Sequence, residues 1–119
     1  MDILQSGQFL SPNQQLSSPN GVYSLIFQTD GNVVLYENNK QAKTRQAKWN
    51  TGTSGTDANQ LKMQADGNLV LYSGATPPKM LWSSRTNGKA GSQPFLKLQD
   101  DGNLVIYGVQ AFWSSNTNI

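Results

Sequence analysis

The stretch from Gln28 to Tyr36 reads Gln-Thr-Asp-Gly-Asn-Val-Val-Leu-Tyr. It returns as Gln64-Ala-Asp-Gly-Asn-Leu-Val-Leu-Tyr72 and as Gln99-Asp-Asp-Gly-Asn-Leu-Val-Ile-Tyr107. The copies start 36 and then 35 residues apart, so three units of this length fill a chain of 119 residues. Self-similarity at a fixed period marks a chain built from one repeated supersecondary unit. An alternating pair precedes each copy: Leu25-x-Phe27, Leu61-x-Met63 and Leu96-x-Leu98. A tryptophan follows each: Trp49-Asn-Thr-Gly-Thr53, Trp82-Ser-Ser-Arg-Thr86 and Trp113-Ser-Ser-Asn-Thr117. The interval from motif tyrosine to tryptophan shrinks from 13 to 10 to 6 residues. A constant phrase with variable spacers predicts fixed strands joined by variable loops. The expectation is a single domain over 1–119 with pseudo-threefold symmetry.

Periodicity makes the repeat β. In the first copy Leu25, Phe27, Val33 and Leu35 share one parity, and Gln28, Asp30, Asn32, Val34 and Tyr36 share the other. Alternation of this kind gives one core face and one outward face. No stretch shows a capped helical period, and all five prolines fall between the strand candidates, where strands tolerate them. The Asp-Gly step signals a turn, and parity constrains it. A two-residue loop at Asp30-Gly31 would carry Gln28 to the apolar face. A three-residue loop over Asp30, Gly31 and Asn32 pairs Phe27 with Leu35 and keeps both faces, as would a continuous bent strand. In the hairpin case Gly31, Gly67 and Gly102 are expected at positive φ.

Composition narrows the function. Nine Lys+Arg against seven Asp+Glu leave a net charge of +2, too little to predict a nucleic-acid surface. No apolar run reaches the roughly 18 residues a membrane span needs, so no membrane insertion is expected. Cysteine and histidine are both absent, which removes the thiolate nucleophile, the commonest general base and the commonest transition-metal ligand. No metal and no cofactor is implied. The Asp-Gly-Asn turns lack the acid spacing and terminal Glu of a calcium loop. Glycoside hydrolysis ordinarily uses two carboxylates about 5–9.5 Å apart. Each motif supplies one aspartate, and Asp100 beside Asp101 points to the opposite face. No enzyme is expected.

The outward residues form a chemical kit instead. Gln and Asn each offer an amide donor and acceptor, Asp offers acceptors, Tyr a hydroxyl and Val a small apolar contact. Such planar polar groups suit a neutral, hydroxyl-rich ring, whose stereochemistry is read by which hydroxyl finds a partner. Turn chemistry is the plainer explanation of Asp-Gly-Asn. It does not require Gln two residues before Asp or Tyr four after Asn. Thr29, Ala65 and Asp100 vary between copies, whereas Gln, Asp, Asn, Val and Tyr are identical in all three.

Gln-x-Asp-x-Asn-x-Val-x-Tyr, three times at this spacing, resembles the monocot mannose-binding lectins, the snowdrop-type bulb-lectin family. The opening Asp2-Ile-Leu-x-x-Gly7-x-x-Leu10 and the closing Trp113-Ser-Ser-x-Thr117 are similar to that family's ends. The resemblance implies an all-β, β-prism II fold: three four-stranded antiparallel sheets about a pseudo-threefold axis. It implies α-D-mannose as ligand, with Asp30 and Asn32 bonding the axial 2-hydroxyl, Gln28 the 3-hydroxyl and Tyr36 the 4-hydroxyl, and Val34 packing on the ring carbons. The same roles pass to Asp66, Asn68, Gln64, Tyr72 and Val70, and to Asp101, Asn103, Gln99, Tyr107 and Val105. It further implies an agglutinin acting by avidity on high-mannose glycans and glycoproteins, as a homodimer that exchanges C-terminal strands over Ala111 to Thr117.

Many plant members carry a cysteine after the motif aspartate in one copy. Gly31, Gly67 and Gly102 stand there in this chain. With no signal-peptide pattern at the start, a cytoplasmic or non-classically released protein and a trimmed secreted one remain alternatives. The segment from Glu37 to Lys48 looks long for the family, and its Lys40, Lys43, Arg45 and Lys48 are expected in a solvated loop. Trp49, Trp82 and Trp113 are expected to pack near the symmetry axis rather than stack on sugar. A β-trefoil is the rival fold, but no Gln stands two residues before a Trp. The rival function is a protein-binding member of the same fold, in which broken motifs are expected. All three are intact.

Overall fold

The computed structural model describes residues 1–88, 93–108 and 111–115, with 111–114 described by backbone alone. Twelve strands are described: β1 Ile3–Leu4, β2 Phe9–Leu10, β3 Gln15–Ser17, β4 Tyr23–Phe27, β5 Val33–Asn39, β6 Thr44–Asn50, β7 Ala58–Met63, β8 Leu69–Ser73, β9 Met80–Ser83, β10 Phe95–Leu98, β11 Leu104–Tyr107 and β12 Ala111–Ser114. They form three four-stranded antiparallel sheets, ordered β3-β4-β5-β6, β2-β7-β8-β9 and β1-β10-β11-β12. Each repeat supplies three strands of one sheet, and the first 17 residues give one short strand to each.

The core follows the parity. In the first sheet Leu16 pairs Leu25, Leu25 pairs Leu35 and Leu35 pairs Trp49. The second sheet repeats the row with Leu10, Leu61, Leu71 and Trp82. The third has Leu4, Leu96, Ile106 and Trp113. All nine aliphatic residues of these rows are buried in one core cluster. Burying each such side chain contributes roughly 1.5–3 kcal/mol. Trp49 and Trp82, from different sheets, pack against the cluster and meet edge-on with ring centroids 5.5 Å apart, as expected for rings near the axis. The Trp113 side chain lies outside the described residues.

Two expectations need correction. Phe27 pairs with Val33, not Leu35. The three-residue loop is Thr29–Gly31, one position earlier than parity alone suggested. Gln28 N–H donates to the Asn32 carbonyl at 2.8 Å, and Gly31 N–H to the Gln28 carbonyl at 3.2 Å. Asn32 therefore closes the ladder instead of lying in the loop, and a two-residue shift leaves both faces intact. The second and third turns repeat these bonds. This excludes the continuous bent strand. Gly31, Gly67 and Gly102 do have positive φ, of 94°, 92° and 87°. At Gly31 a Cβ would also lie 2.5 Å from the Thr56 carbonyl, so no other residue fits that turn.

The second correction concerns the basic segment. Lys40 and Lys43 sit in a turn, but Arg45 and Lys48 lie on β6, where Arg45 pairs with Asn38 along a long β5–β6 hairpin. Lys48 makes an ion pair with Glu37 at 3.2 Å.

Candidate functional site

Each motif folds as turn then strand. Asp stands in the hairpin turn, Gln and Asn flank it and close the ladder, and Val and Tyr follow on the outward face of β5, β8 or β11. In the first copy Gln28 Nε2 donates to Asp30 at 3.2 and 3.3 Å, and the Tyr36 hydroxyl donates to Gln28 Oε1. In the second and third the glutamine amide is turned round. Gln64 Nε2 donates to the Tyr72 hydroxyl at 2.5 Å, and Gln99 Nε2 to the Tyr107 hydroxyl at 2.6 Å. In all three the motif aspartate's Oδ1 accepts the asparagine backbone N–H at 2.9 Å, a local bond that favours this turn. The fifteen predicted residues thus gather as three sets of five, one set to a sheet.

The valines lie deeper than a sugar-facing role suggests. Val34, Val70 and Val105 are only 4%, 1% and 3% exposed, and none belongs to the core cluster. They floor the outward face, leaving the rim to the polar residues. Beside each motif tyrosine the ladder skips one residue: Leu35 pairs Trp49 but Tyr36 pairs Ala47, Leu71 pairs Trp82 but Tyr72 pairs Met80, and Ile106 pairs Trp113 but Tyr107 pairs Ala111. Such bulges re-aim a side chain, here next to the one that closes the site.

A second set of residues holds the asparagines and was not picked out from the sequence. Asn68 Oδ1 accepts from the Ser84 hydroxyl at 3.2 Å and from Thr86 N–H at 3.3 Å. The Thr86 hydroxyl donates to the Gly67 carbonyl at 2.6 Å. Asn32 is clamped alike by the Thr51 hydroxyl at 3.1 Å and Thr53 N–H at 3.2 Å, with the Thr53 hydroxyl on the Gly31 carbonyl at 2.6 Å. The Ser115 hydroxyl donates to Asn103 Oδ1 at 3.2 Å; Thr117 lies outside the described residues. The signal was the Trp-x-Ser/Thr-x-Thr phrase that recurs after every motif. With Oδ1 committed inward, each asparagine keeps a fixed orientation. Among the described residues no buried side-chain nitrogen or oxygen lacks a partner, so Asn68 Nδ2, for which no bond is found, opens to solvent as a donor.

Asp100, weighed against Asp101 as an acid pair, ties the third turn to the N-terminal loop, accepting Asn20 N–H at 2.8 Å. The first site opens into a cleft of about 540 Å³ that also includes Asn13, Gln15, Ile26, Thr29 and Arg45. None of these five belongs to the motif's matching positions. The Arg45 guanidinium lies over the Tyr36 ring, 4.1 Å from its centroid.

No family model matches the chain, and no curated protein matches it by sequence. Solved structures do match. A novel monomeric monocot mannose-binding lectin from Gastrodia elata is 40% identical with a TM-score of 0.83, over 100% of both chains. The chain belongs to the monocot mannose-binding lectin family. The mannose-specific agglutinin of snowdrop bulbs (Galanthus nivalis), solved with methyl-α-D-mannoside, is 38% identical with a TM-score of 0.76, over 100% of this chain and 99% of that one. A lectin from Mycobacterium smegmatis, described as a domain-swapped dimer, is 41% identical with a TM-score of 0.56, over 98% of this chain and 100% of that one. The three sheets are a β-prism II fold, and the protein is a carbohydrate-binding lectin whose neighbours are non-catalytic.

Proposed function

We propose that the lectin binds terminal α-D-mannose at all three motifs and acts on high-mannose glycans and glycoproteins by multivalency. What carries this reading is the triple recurrence of one polar cluster on rigid sheet faces, each asparagine clamped from behind by small hydroxyls. Asp and Asn together offer an acceptor and a donor suited to one axial hydroxyl. Gln and Tyr offer the next pair around the ring, to the 3- and 4-hydroxyls. Epimers that move a hydroxyl leave a polar group without a partner, which costs about 1–3 kcal/mol when buried. A shallow monosaccharide site of this size binds weakly, on the order of millimolar or about −4 kcal/mol. Three sites on one chain turn that into avidity on a branched glycan. The proposed assembly is a homodimer, which would double the sites. The strand Ala111–Ser114, here paired with β11 of its own chain, is the element to exchange.

Calorimetric titration with methyl α-mannoside, with the galactoside as control, tests the reading. Heat from the mannoside alone, at up to three sites per chain, is expected. Asp66→Ala should lower the stoichiometry by one while the protein stays folded. Absence of heat with any mannoside at high concentration overturns the proposal. Light scattering tests the assembly: a two-chain mass is expected, and a one-chain mass removes strand exchange.

A further inference from the structure

Four side chains lie in series along the first cleft. Asp30 accepts from Gln28, Gln28 bonds the Tyr36 hydroxyl, and Arg45 stands over the Tyr36 ring at 4.1 Å. The carboxylate is thus at one end and the guanidinium at the other. Asp30 already accepts two N–H donors, from Gln28 and Asn32. Arg45 is exposed and, among the described residues, in no ion pair. It is held by an aromatic face and not by a carboxylate, so its N–H edge remains available for an anion. Guanidinium suits phosphate because its fork of donors matches two phosphate oxygens at once.

The surroundings favour the same sign. The hairpin Val33–Asn50 carries Lys40, Lys43, Arg45 and Lys48 against Glu37 alone, and Glu37 is paired with Lys48. The second site has a different cation, Lys62 on the neighbouring strand β7, paired with Val70, and no arginine at the position of Arg45. Arg45 stands four residues before Trp49, and Pro78 stands four before Trp82. At about 540 Å³ the first cleft also falls in the range that holds ligands larger than one small ring.

We propose that the first site takes a mannose bearing a phosphate ester, the sugar on Gln28, Asp30, Asn32 and Tyr36 and the phosphate on Arg45. The inference rests on the mannose reading above. On that assignment Tyr36 meets the 4-hydroxyl, and the C6 arm is its neighbour on the ring. A 6-phosphate therefore leaves the sugar on the Tyr36 side, towards Arg45 and away from Asp30. The two other sites would take the unsubstituted sugar.

Calorimetry with methyl α-mannoside, its 6-phosphate and inorganic phosphate alone tests this. The 6-phosphate should bind about tenfold more tightly than methyl α-mannoside at one site per chain, with the gain shrinking as salt is raised. Arg45→Gln should return the phosphorylated sugar to the affinity of methyl α-mannoside, with the melting curve confirming the fold, and Arg45→Lys should keep part of the gain. Equal affinity for the two sugars, a gain at all three sites, or a gain that survives Arg45→Gln overturns the inference. So does inorganic phosphate binding as tightly as the phosphorylated sugar, which would mark an anion site indifferent to mannose. If methyl α-mannoside itself gives no heat, the mannose reading fails, and this inference falls with it.

Discussion

The first and second sites are built on the same row of core residues and the same hydroxyl clamp, yet their hairpins run to different lengths. β5 continues past Tyr36 through Asn39 and pairs with β6 back to Thr44. β8 ends one residue after Tyr72. There the Ser73 hydroxyl, 5% exposed, accepts the N–H groups of Ala75 at 3.3 Å and Lys79 at 2.9 Å. The two prolines at 77 and 78 cannot donate to a ladder, so the loop turns at once. In the first hairpin Glu37, Asn38 and Asn39 pair with Gln46, Arg45 and Thr44 instead. That brings a guanidinium over one motif tyrosine and none over the other. The lesson is a division of labour. Rows facing the axis set where the five polar side chains stand, and those rows are tightly constrained. Hairpin tips project beyond the core, so their length changes a site's surroundings without moving the site.

If the rows are equivalent, they should fail equally. Leu35→Ala and Leu71→Ala each remove a fully buried side chain at the centre of a row. Each should cost about 2–5 kcal/mol, read as a drop in the denaturant midpoint. Costs within about 1 kcal/mol of each other are expected. A much smaller loss at Leu35 would mean that the long hairpin supports the first sheet by itself.

The clamps should follow. Thr53→Val and Thr86→Val remove a buried hydroxyl at nearly constant shape and leave the Gly31 or Gly67 carbonyl without its side-chain donor. A cost of about 1–3 kcal/mol is expected for either. Valine keeps the backbone N–H that bonds the asparagine. It loses the hydroxyl that contacts Thr51 or Ser84 at 2.7 Å, whose own hydroxyl bonds the asparagine Oδ1. Each variant should therefore also weaken one mannoside site in a calorimetric titration. Undiminished affinity in both would reduce the clamp to a purely structural tie.

Much of this was legible in the sequence. Parity placed Leu25, Phe27, Val33 and Leu35 on one face and the motif on the other, because two-residue alternation survives any even shift in register. The register itself was not legible. Whether Asn32 belongs to loop or ladder depends on Gln28 N–H finding the Asn32 carbonyl, which parity does not decide. The β5–β6 extension was hidden because Glu37 to Lys48 carries no apolar alternation: both faces near the tip meet water, so only backbone pairing makes it a strand. β1 to β3 are two or three residues each, too short for periodicity. Leu4, Leu10 and Leu16, six apart, were their one trace. The hydroxyl clamps stand in plain view after each tryptophan, but nothing in their spacing shows that they reach back to the asparagines. Arg45 over Tyr36 is a consequence of register, and no motif predicts it.

The third sheet offers the smallest test. Its edge strand β1 is tied to β10 by the preceding Asp2, 2.8 Å from Lys97. Lys97 pairs Ile3 as Lys62 pairs Phe9, but the residue before Phe9 is Gln8. Asp2 has its carboxyl held below the ordinary range, first by the hydrogen bond from the Lys97 ammonium. A carboxylate with a depressed folded-state pKa adds stability that is present above its unfolded value, near 3.8, and is lost as pH falls through the lower folded value. Asp2→Asn should therefore melt slightly below the native protein at neutral pH, and the gap should close as the solution is acidified below about pH 4. Both partners are about one-third exposed, at 32% and 30%, so the effect should be the least of the three and should shrink in salt. A gap that stays constant down to low pH would mean that β1 is held by its Leu4–Leu96 pair and the backbone ladder, as β2 is by Leu10 and Leu61, and that the ion pair sets the third sheet apart in appearance only.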